Sequence, residues 1–355
     1  LFPKKQKVIE LKKDISLKCE KYDYETFSID PEGCRDIDDA FHIKKLNDSV
    51  IEIGVHIANV VSRIDIEKMD FNFFSSIYLE NDQINMLSDK ITYNDSSLGN
   101  GEIKSAVSLI LKYSLSDTPK IINTKFEVCM VKNTALNYKQ VDNSIKHDND
   151  TLDLNTNRIT LLYSLAKKLI TPTDNSEFIS STKIVEYFML LYNNIVAETL
   201  YENYSKQTIL RRHKLSDTET TGCAVNQTLC EFVNRKNQNA AEYISGETTE
   251  FIEHQSLGFN LYTHATSPIR RYIDIINQKN IVNYINNVKE IENKAPFFKI
   301  SHDKLHLVNE FNKNLRKFYN NYKKLKLIFN NDLENSSKHH DIPDTQTLST
   351  TVTDV

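Results

Sequence analysis

The segment Ser28-Ile29-Asp30-Pro31-Glu32-Gly33-Cys34-Arg35-Asp36-Ile37-Asp38-Asp39-Ala40 holds four aspartates, Asp30, Asp36, Asp38 and Asp39, within ten residues around a Pro/Gly turn. Carboxylates this close repel, each raising its neighbours' pKa, unless a cation sits among them. An all-oxygen ligand set favours Mg²⁺, with Mn²⁺ as the alternative, over zinc. Such ions, paired at roughly 3.5–4 Å in many nucleases, activate water and stabilise a phosphorane and its leaving oxygen. Phosphoester hydrolysis is the chemistry this set would serve. Taken alone, the cluster also fits a solvated acidic loop or the D-x-D element of aspartate-nucleophile phosphatases.

Basic and aromatic candidates lie elsewhere. Thr266-Ser267-Pro268 reads as a helix start, with Ser267 as cap and Pro268 at the first helical position. Arg270 and Arg271 are then expected in the first turn, where free N–H groups and the helix dipole favour an anion. A guanidinium fork there would hold a phosphate and offset developing charge. Pairing with Asp274 is the competing expectation for Arg271. Arg211-Arg212-His213 suits backbone phosphates or a charged surface turn equally. Tyr78 offers a flat face for a base or fills a core. Glu186 would accept from a 2′-OH or simply favour a helix's first turns. His264 would meet a phosphate or satisfy a backbone carbonyl.

These residues need a frame, and the hydrophobic pattern supplies one. Residues 26–30, 40–46 and 50–60 read as strands, as do 106–115 and 120–131 on either side of the turn SDTPK. Residues 62–105 mix short helical and irregular pieces, and 143–154 read as a polar linker. Helical spacing follows at 158–170. It recurs at 180–202, where Ser180, Ser181 and Thr182 precede a stripe of Ile184, Val185, Phe188, Met189, Leu191, Tyr192 and Ile195. One long helix is predicted over 302–330. The fold class is therefore α+β. Residues 1–22 read as a Lys-rich linker or remnant, 23–330 as one catalytic domain, and 331–355 as a disordered tail.

The aspartate segment resembles the signature of the RNase II (RNB) exoribonucleases: Ile-Asp-Pro, then D-I-D-D-A six residues later, then VIEIGVHIANV. Four further blocks follow in the family's order: IYLENDQINMLSDKITYNDSSLGNGEIKSAVSLIL (77–111), KIVEYFMLLYNNIVAETL (183–200), ILRRHK (209–214) and LGFNLYTHATSPIRRYIDIINQ (257–278). The resemblance covers roughly residues 26–330. It implies small sheets surrounded by helices enclosing an RNA channel, and a hydrolytic 3′→5′ exoribonuclease releasing 5′-nucleotides from single-stranded RNA. It further implies Asp30, Asp36, Asp38 and Asp39 as metal ligands, and Arg270 with Asp36 and Asp38 at the scissile phosphate. Tyr78 would pack on a terminal base and Glu186 would meet the terminal sugar. Arg211, Arg212 and Arg271 would contact RNA. A catalytically silent RNA-binding scaffold of the same fold is the alternative.

The sequence departs from the family pattern at several points. Asn320 and Asn321 stand where an acidic residue is common, Tyr187 stands at the second glutamate, and Gln278 at a common histidine. The cold-shock and S1 barrels usual in the family are not expected here, so a partner or further domains would supply grip on RNA. The composition, 39% hydrophobic and 26% charged with a net charge of −4, suits a globular protein that does not coat nucleic acid by bulk charge. No apolar run predicts a membrane span or signal peptide. The expected location is cytoplasmic, with the nucleus open as well. Five cysteines without metal-ligand spacing predict reduced thiols.

Overall fold

The computed structural model describes residues 21–69, 71, 73–80, 82–146, 154–170, 178–204, 207–215, 240–248, 251–288 and 296–338. It divides into two compact units, residues 1–309 and 310–355. The first is built on strands β1 (Tyr24–Asp30), β2 (Asp39–Asn47), β3 (Val50–Ala58), the short β4 (Ile77–Tyr78) and β5 (Gln83–Ile84), β6 (Ile103–Ser114) and β7 (Lys120–Asn137). Helices α1 (Tyr138–Lys146), α2 (Leu154–Leu169) and α3 (Ser181–Tyr204) follow, then a hairpin of β8 (Ile209–Arg212) and β9 (Glu242–Ser245), and helix α4 (Tyr272–Val288). The last helix, α5 (His302–Lys338), begins in the first unit and makes up the described part of the second.

Strands β1, β2, β3, β6 and β7 form a closed barrel. Its pairings are antiparallel except for the closing one, where β1 runs parallel to β7 from Tyr24 opposite Val131 to Asp30 opposite Asn137. The two faces of each strand separate sharply. Phe27, Phe41, Ile51, Ile53, Val55, Val107, Leu109 and Phe126 join the core cluster with α2 and α3. Phe41 meets Phe188 at 5.9 Å between ring centroids, and Phe126 meets Tyr192 edge-on at 6.0 Å. The apolar face therefore points outward under the helices, and full burial of a side chain such as Phe188 contributes about 1.5–3 kcal/mol.

The other face is polar and lines the inside. Contacts between non-neighbouring strands place it there: Tyr24 on β1 lies 5.4 Å from the His56 ring on β3, and Cys129 Sγ on β7 lies 3.8 Å from His56 Nδ1. His42 and His56 meet at 2.7 Å, His56 and Ser108 at 2.7 Å, and Ser108 and Cys129 at 3.0 Å. Gly54 sits directly against the two imidazoles, so a Cβ there would collide with both. Burying so many polar groups is tolerable because they bond one another.

Several expectations are corrected. The 143–154 segment is not all linker: residues 143–146 complete α1, and Leu154 opens α2. Residues 147–153 lie outside the described residues. The helix expected from Ser267 starts at Tyr272 instead. Ser267 to Arg271 form a tight turn in which Arg270 and Arg271 N–H both donate to Ser267 C=O. The reason is Asp274, whose buried carboxylate accepts the Ser267 N–H at 2.8 Å and so bends the chain before the helix. The last helix runs to Lys338, past 330. The remainder of the tail, residues 1–20, and Cys19, Cys223 and Cys230 lie outside the described residues; Cys34 and Cys129 are free thiols. No helix among the described residues is long and apolar enough to cross a membrane.

Candidate active site

The four aspartates gather where β1 ends and β2 begins. Asp30 is the last residue of β1 and Asp39 the first of β2, with Asp36 and Asp38 on the connection. That connection is pinned at several points. A turn from Pro31 to Cys34 closes on a 3.1 Å backbone bond and passes through Gly33 at φ 79°, a left-handed conformation glycine adopts without penalty. Ser97 accepts Ile37 N–H at 3.0 Å and donates to Arg35 C=O at 2.8 Å. Asp38 C=O accepts Ala58 N–H at 2.8 Å.

Each carboxylate has its own surroundings. Asp36 Oδ2 accepts from Tyr78 O–H at 2.5 Å and Gln83 Nε2 at 3.0 Å. Tyr78 and Gln83 are opposite one another in the β4–β5 pairing, so a single hairpin delivers both donors. Asp38 accepts Ile269 N–H on Oδ1 at 3.0 Å and Arg270 Nε on Oδ2 at 3.1 Å. The Arg270 turn is tied to the strand hairpin by Ser76 N–H to Arg270 C=O and Tyr272 N–H to Phe74 C=O, both 3.0 Å. Asp30 Oδ2 is buried without a hydrogen-bond partner.

Electrostatics follow from this crowding. Burial pushes Asp38 up to about 7, with Arg270 offsetting part of the rise. Burial also pushes Asp30 up to about 6, and Asp36 adds repulsion. Asp39 is raised well above the usual range by burial and then by Asp30 and Asp38. Among the described residues no group of three or more His, Cys, Asp or Glu is arranged to hold a metal ion by itself. Mg²⁺ does not require such a cage, since it keeps waters and binds through one or two carboxylates plus substrate phosphates. The unpartnered Asp30 Oδ2 and the raised carboxyl pKa values therefore fit a hard cation in both donor type and charge.

The other candidates separate into near and paired. Tyr78 keeps its ring partly exposed while its hydroxyl holds Asp36. Arg271 turns away: Nη2 bonds Asp274 at 2.8 Å and Thr266 at 3.3 Å. Arg212 is ion-paired with Glu242 at 2.8 Å, whereas Arg211 Nη1 bonds His254 at 3.0 Å. Glu186 is exposed on α3. His264 meets the Tyr243 hydroxyl at 2.6 Å rather than a backbone carbonyl. Gln278 bonds Ala58 C=O at 2.8 Å and Val61 N–H at 3.2 Å, tying α4 to the end of β3. Sequence reasoning missed Gln83, the Ile269 N–H and Tyr138, whose phenol is raised to about 12 by burial and by nearby Asp39 and Asp30. Nothing in the local sequence marks Gln83. Tyr138, directly after the strand paired with β1, becomes visible only once β1 and β7 are known to pair.

The four aspartates thus stand together at one end of the closed barrel, with the Arg270 turn against Asp38. Residues 20–180 and 170–287 match the model of the RNB domain, and the chain belongs to that family. It is 28% identical over 313 residues to the exosome complex exonuclease RRP44 homolog A of Arabidopsis thaliana, covering 70% of this chain and 33% of that protein. The fold is shared with Mycoplasma genitalium RNase R in complex with ribose-methylated single-stranded RNA (TM-score 0.60, 16% identity, 85% of this chain and 57% of that one). It is shared also with yeast Ssd1, a pseudonuclease (TM-score 0.65, 17% identity, 83% of this chain and 42% of that one). The chain spans about a third of the length of the curated relatives it matches.

Proposed function

We propose that this chain is the catalytic part of a 3′→5′ exoribonuclease that hydrolyses single-stranded RNA to 5′-nucleoside monophosphates with a divalent cation. The observation that carries the reading is Asp30, Asp36, Asp38 and Asp39 at one barrel end, with Arg270 against Asp38. Asp30, Asp36, Asp38 and Asp39 would hold Mg²⁺, or Mn²⁺, which when bound acidifies water and neutralises phosphate charge. Arg270, side chain 43% exposed, reaches solvent as well as Asp38 and so can meet the scissile phosphate. Tyr78 offers its ring to the terminal base while its hydroxyl holds Asp36 in place, and Glu186 is assigned to the terminal ribose. The catalytic domain is assigned to residues 23–330. Further domains or a partner would add grip on RNA.

The test is product analysis. Incubation of single-stranded RNA with the protein and Mg²⁺ is expected to yield 5′-mononucleotides and to stop with chelator; intact RNA at every protein concentration would overturn the reading. A silent RNA-binding scaffold is the second reading. It is favoured by the direct Arg270–Asp38 ion pair, which already satisfies the most buried carboxylate. Degradation abolished by Asp39→Asn would exclude it.

A further inference from the structure

One buried amide joins the two halves of the carboxylate cluster. Asn133 lies on β7 opposite Thr26 of β1, in the pairing that closes the barrel, and it is buried. Its Nδ2 donates to Leu98 C=O at 2.7 Å and to Ser28 Oγ at 3.2 Å, while Oδ1 accepts from Thr26 Oγ1 at 3.2 Å. A carbonyl can only accept, so the Leu98 bond fixes which way the amide faces.

The two Nδ2 bonds lead in different directions. Leu98 N–H donates to Ile37 C=O at 3.0 Å, and Ile37 stands between Asp36 and Asp38. The neighbouring Ser97 holds the same connection at Ile37 N–H and Arg35 C=O. The Asn133 main chain fastens this turn as well: its C=O accepts Gly101 N–H at 2.7 Å and its N–H donates to Glu102 C=O at 3.4 Å. On the other arm, Ser28 stands two residues before Asp30 on β1, on the same face of the strand. Ser28 Oγ accepts from Asn133, so its own proton turns to Asp30, where it favours the charged carboxylate. Asp30 Oδ2 is left buried without a partner.

We propose that Asn133 is a positioning residue for the metal-binding carboxylates, a single amide that sets the spacing between Asp30 and the Asp36–Asp38 connection through Ser28 and Leu98. It touches neither cation nor substrate. The inference rests on the exoribonuclease reading for its cation. Carboxylates that repel one another separate unless their backbones are tied, and a ligand set already held at its working spacing has less to reorganise when a cation arrives.

The test is titration of the metal-free whole chain with Mn²⁺, free Mn²⁺ being read by electron paramagnetic resonance, so that no turnover is needed. Asn133→Leu, close in volume but without the amide, is expected to weaken Mn²⁺ binding roughly 10- to 100-fold, the range for partners standing behind metal ligands. Ser28→Ala, which cuts the Asp30 arm alone, should weaken it less, and Ser28→Thr, which keeps the hydroxyl, should restore it. Asn280→Leu removes another buried amide, one bonded to the Phe298 backbone, and should melt lower with Mn²⁺ affinity unchanged. Melting temperatures establish that the variants fold. In turnover, Asn133→Leu should lower kcat at low Mg²⁺ and recover as Mg²⁺ is raised, while its affinity for oligouridylate in EDTA stays at the wild-type value.

Wild-type Mn²⁺ affinity in folded Asn133→Leu and Ser28→Ala would overturn the positioning role while leaving any observed degradation intact. An equal loss of affinity in Asn280→Leu, or a Ser28→Ala loss that Ser28→Thr does not restore, would reduce Asn133 to a structural amide and overturn it too. Should Asn133→Leu fail to fold, the Ser28 pair decides. The expected losses in a chain that degrades no RNA would support the positioning role and remove the enzymatic reading. A wild type that binds no Mn²⁺ would overturn the positioning role together with the cation of the proposed mechanism.

Discussion

At the scale of single residues, the site is a set of carboxylates held against their own repulsion. Asp38 illustrates the consequence. A carboxyl whose folded pKa of about 7 lies above its unfolded value contributes stability while protonated, and that stability is lost as pH rises through the folded value. Asp38→Asn should therefore melt like wild type near pH 4, gain on it as pH rises from about 4 to about 7, and keep a constant lead above pH 7 when metal is absent. Mg²⁺ should narrow the difference by raising the wild type. Calorimetry across pH with and without Mg²⁺ measures this, and a variant no more stable than wild type at pH 8 would contradict it. Tyr78 carries two separable roles. Tyr78→Phe keeps the ring and should retain RNA affinity while releasing Asp36, whereas Tyr78→Ala should lose about 1–3 kcal/mol of binding. Equal affinities for the two variants in a filter-binding titration would remove the stacking role.

At the scale of elements, the barrel is unusual in being apolar outside and polar within. Gly54 is required by that interior: Gly54→Ala would press on His42 and His56, and overpacking of this kind costs about 1–3 kcal/mol. A urea midpoint equal to wild type would refute the crowding. His42 gives the acid limit. Burial lowers it from 6.5 to about 4, so the native state keeps it neutral while the unfolded chain takes up a proton. Stability is full above pH 6.5, falls as pH drops from 6.5 toward 4, and levels off below. The difference of 6.5 − 4 corresponds to about 3 kcal/mol, and His42→Gln should lose that part of the pH dependence. The strands themselves were readable from alternation because one face of each is buried under helices. The closure was not, because β1 pairs with β7 across about a hundred residues. Nor was α1, whose nine residues are mostly polar. The Ser267-Pro268 start signal misled because Asp274, seven residues further along the chain, captures Ser267 N–H.

At the scale of the whole molecule, the five ordered sequence blocks were enough to read the family, and the structure brings the first, second and last of them together at one end of the barrel. Asp36 meets Tyr78, and Asp38 meets Arg270, across 42 and 232 residues of sequence. Composition excluded only bulk-charge coating of nucleic acid: at a net charge of −4, any grip on RNA has to come from placed cations. Arg211, Arg212 and Arg271 look alike in the sequence, and the structure gives them different partners, His254, Glu242 and Asp274. The measurement that bears most directly on the central claim is incubation of 5′-labelled single-stranded RNA, and of matching DNA, with Mg²⁺ and either wild type or Asp38→Asn. A ladder shortening from the 3′ end on RNA alone, absent with the variant, is the predicted result. RNA that stays intact with wild type, or a ladder undiminished by Asp38→Asn, would contradict the account.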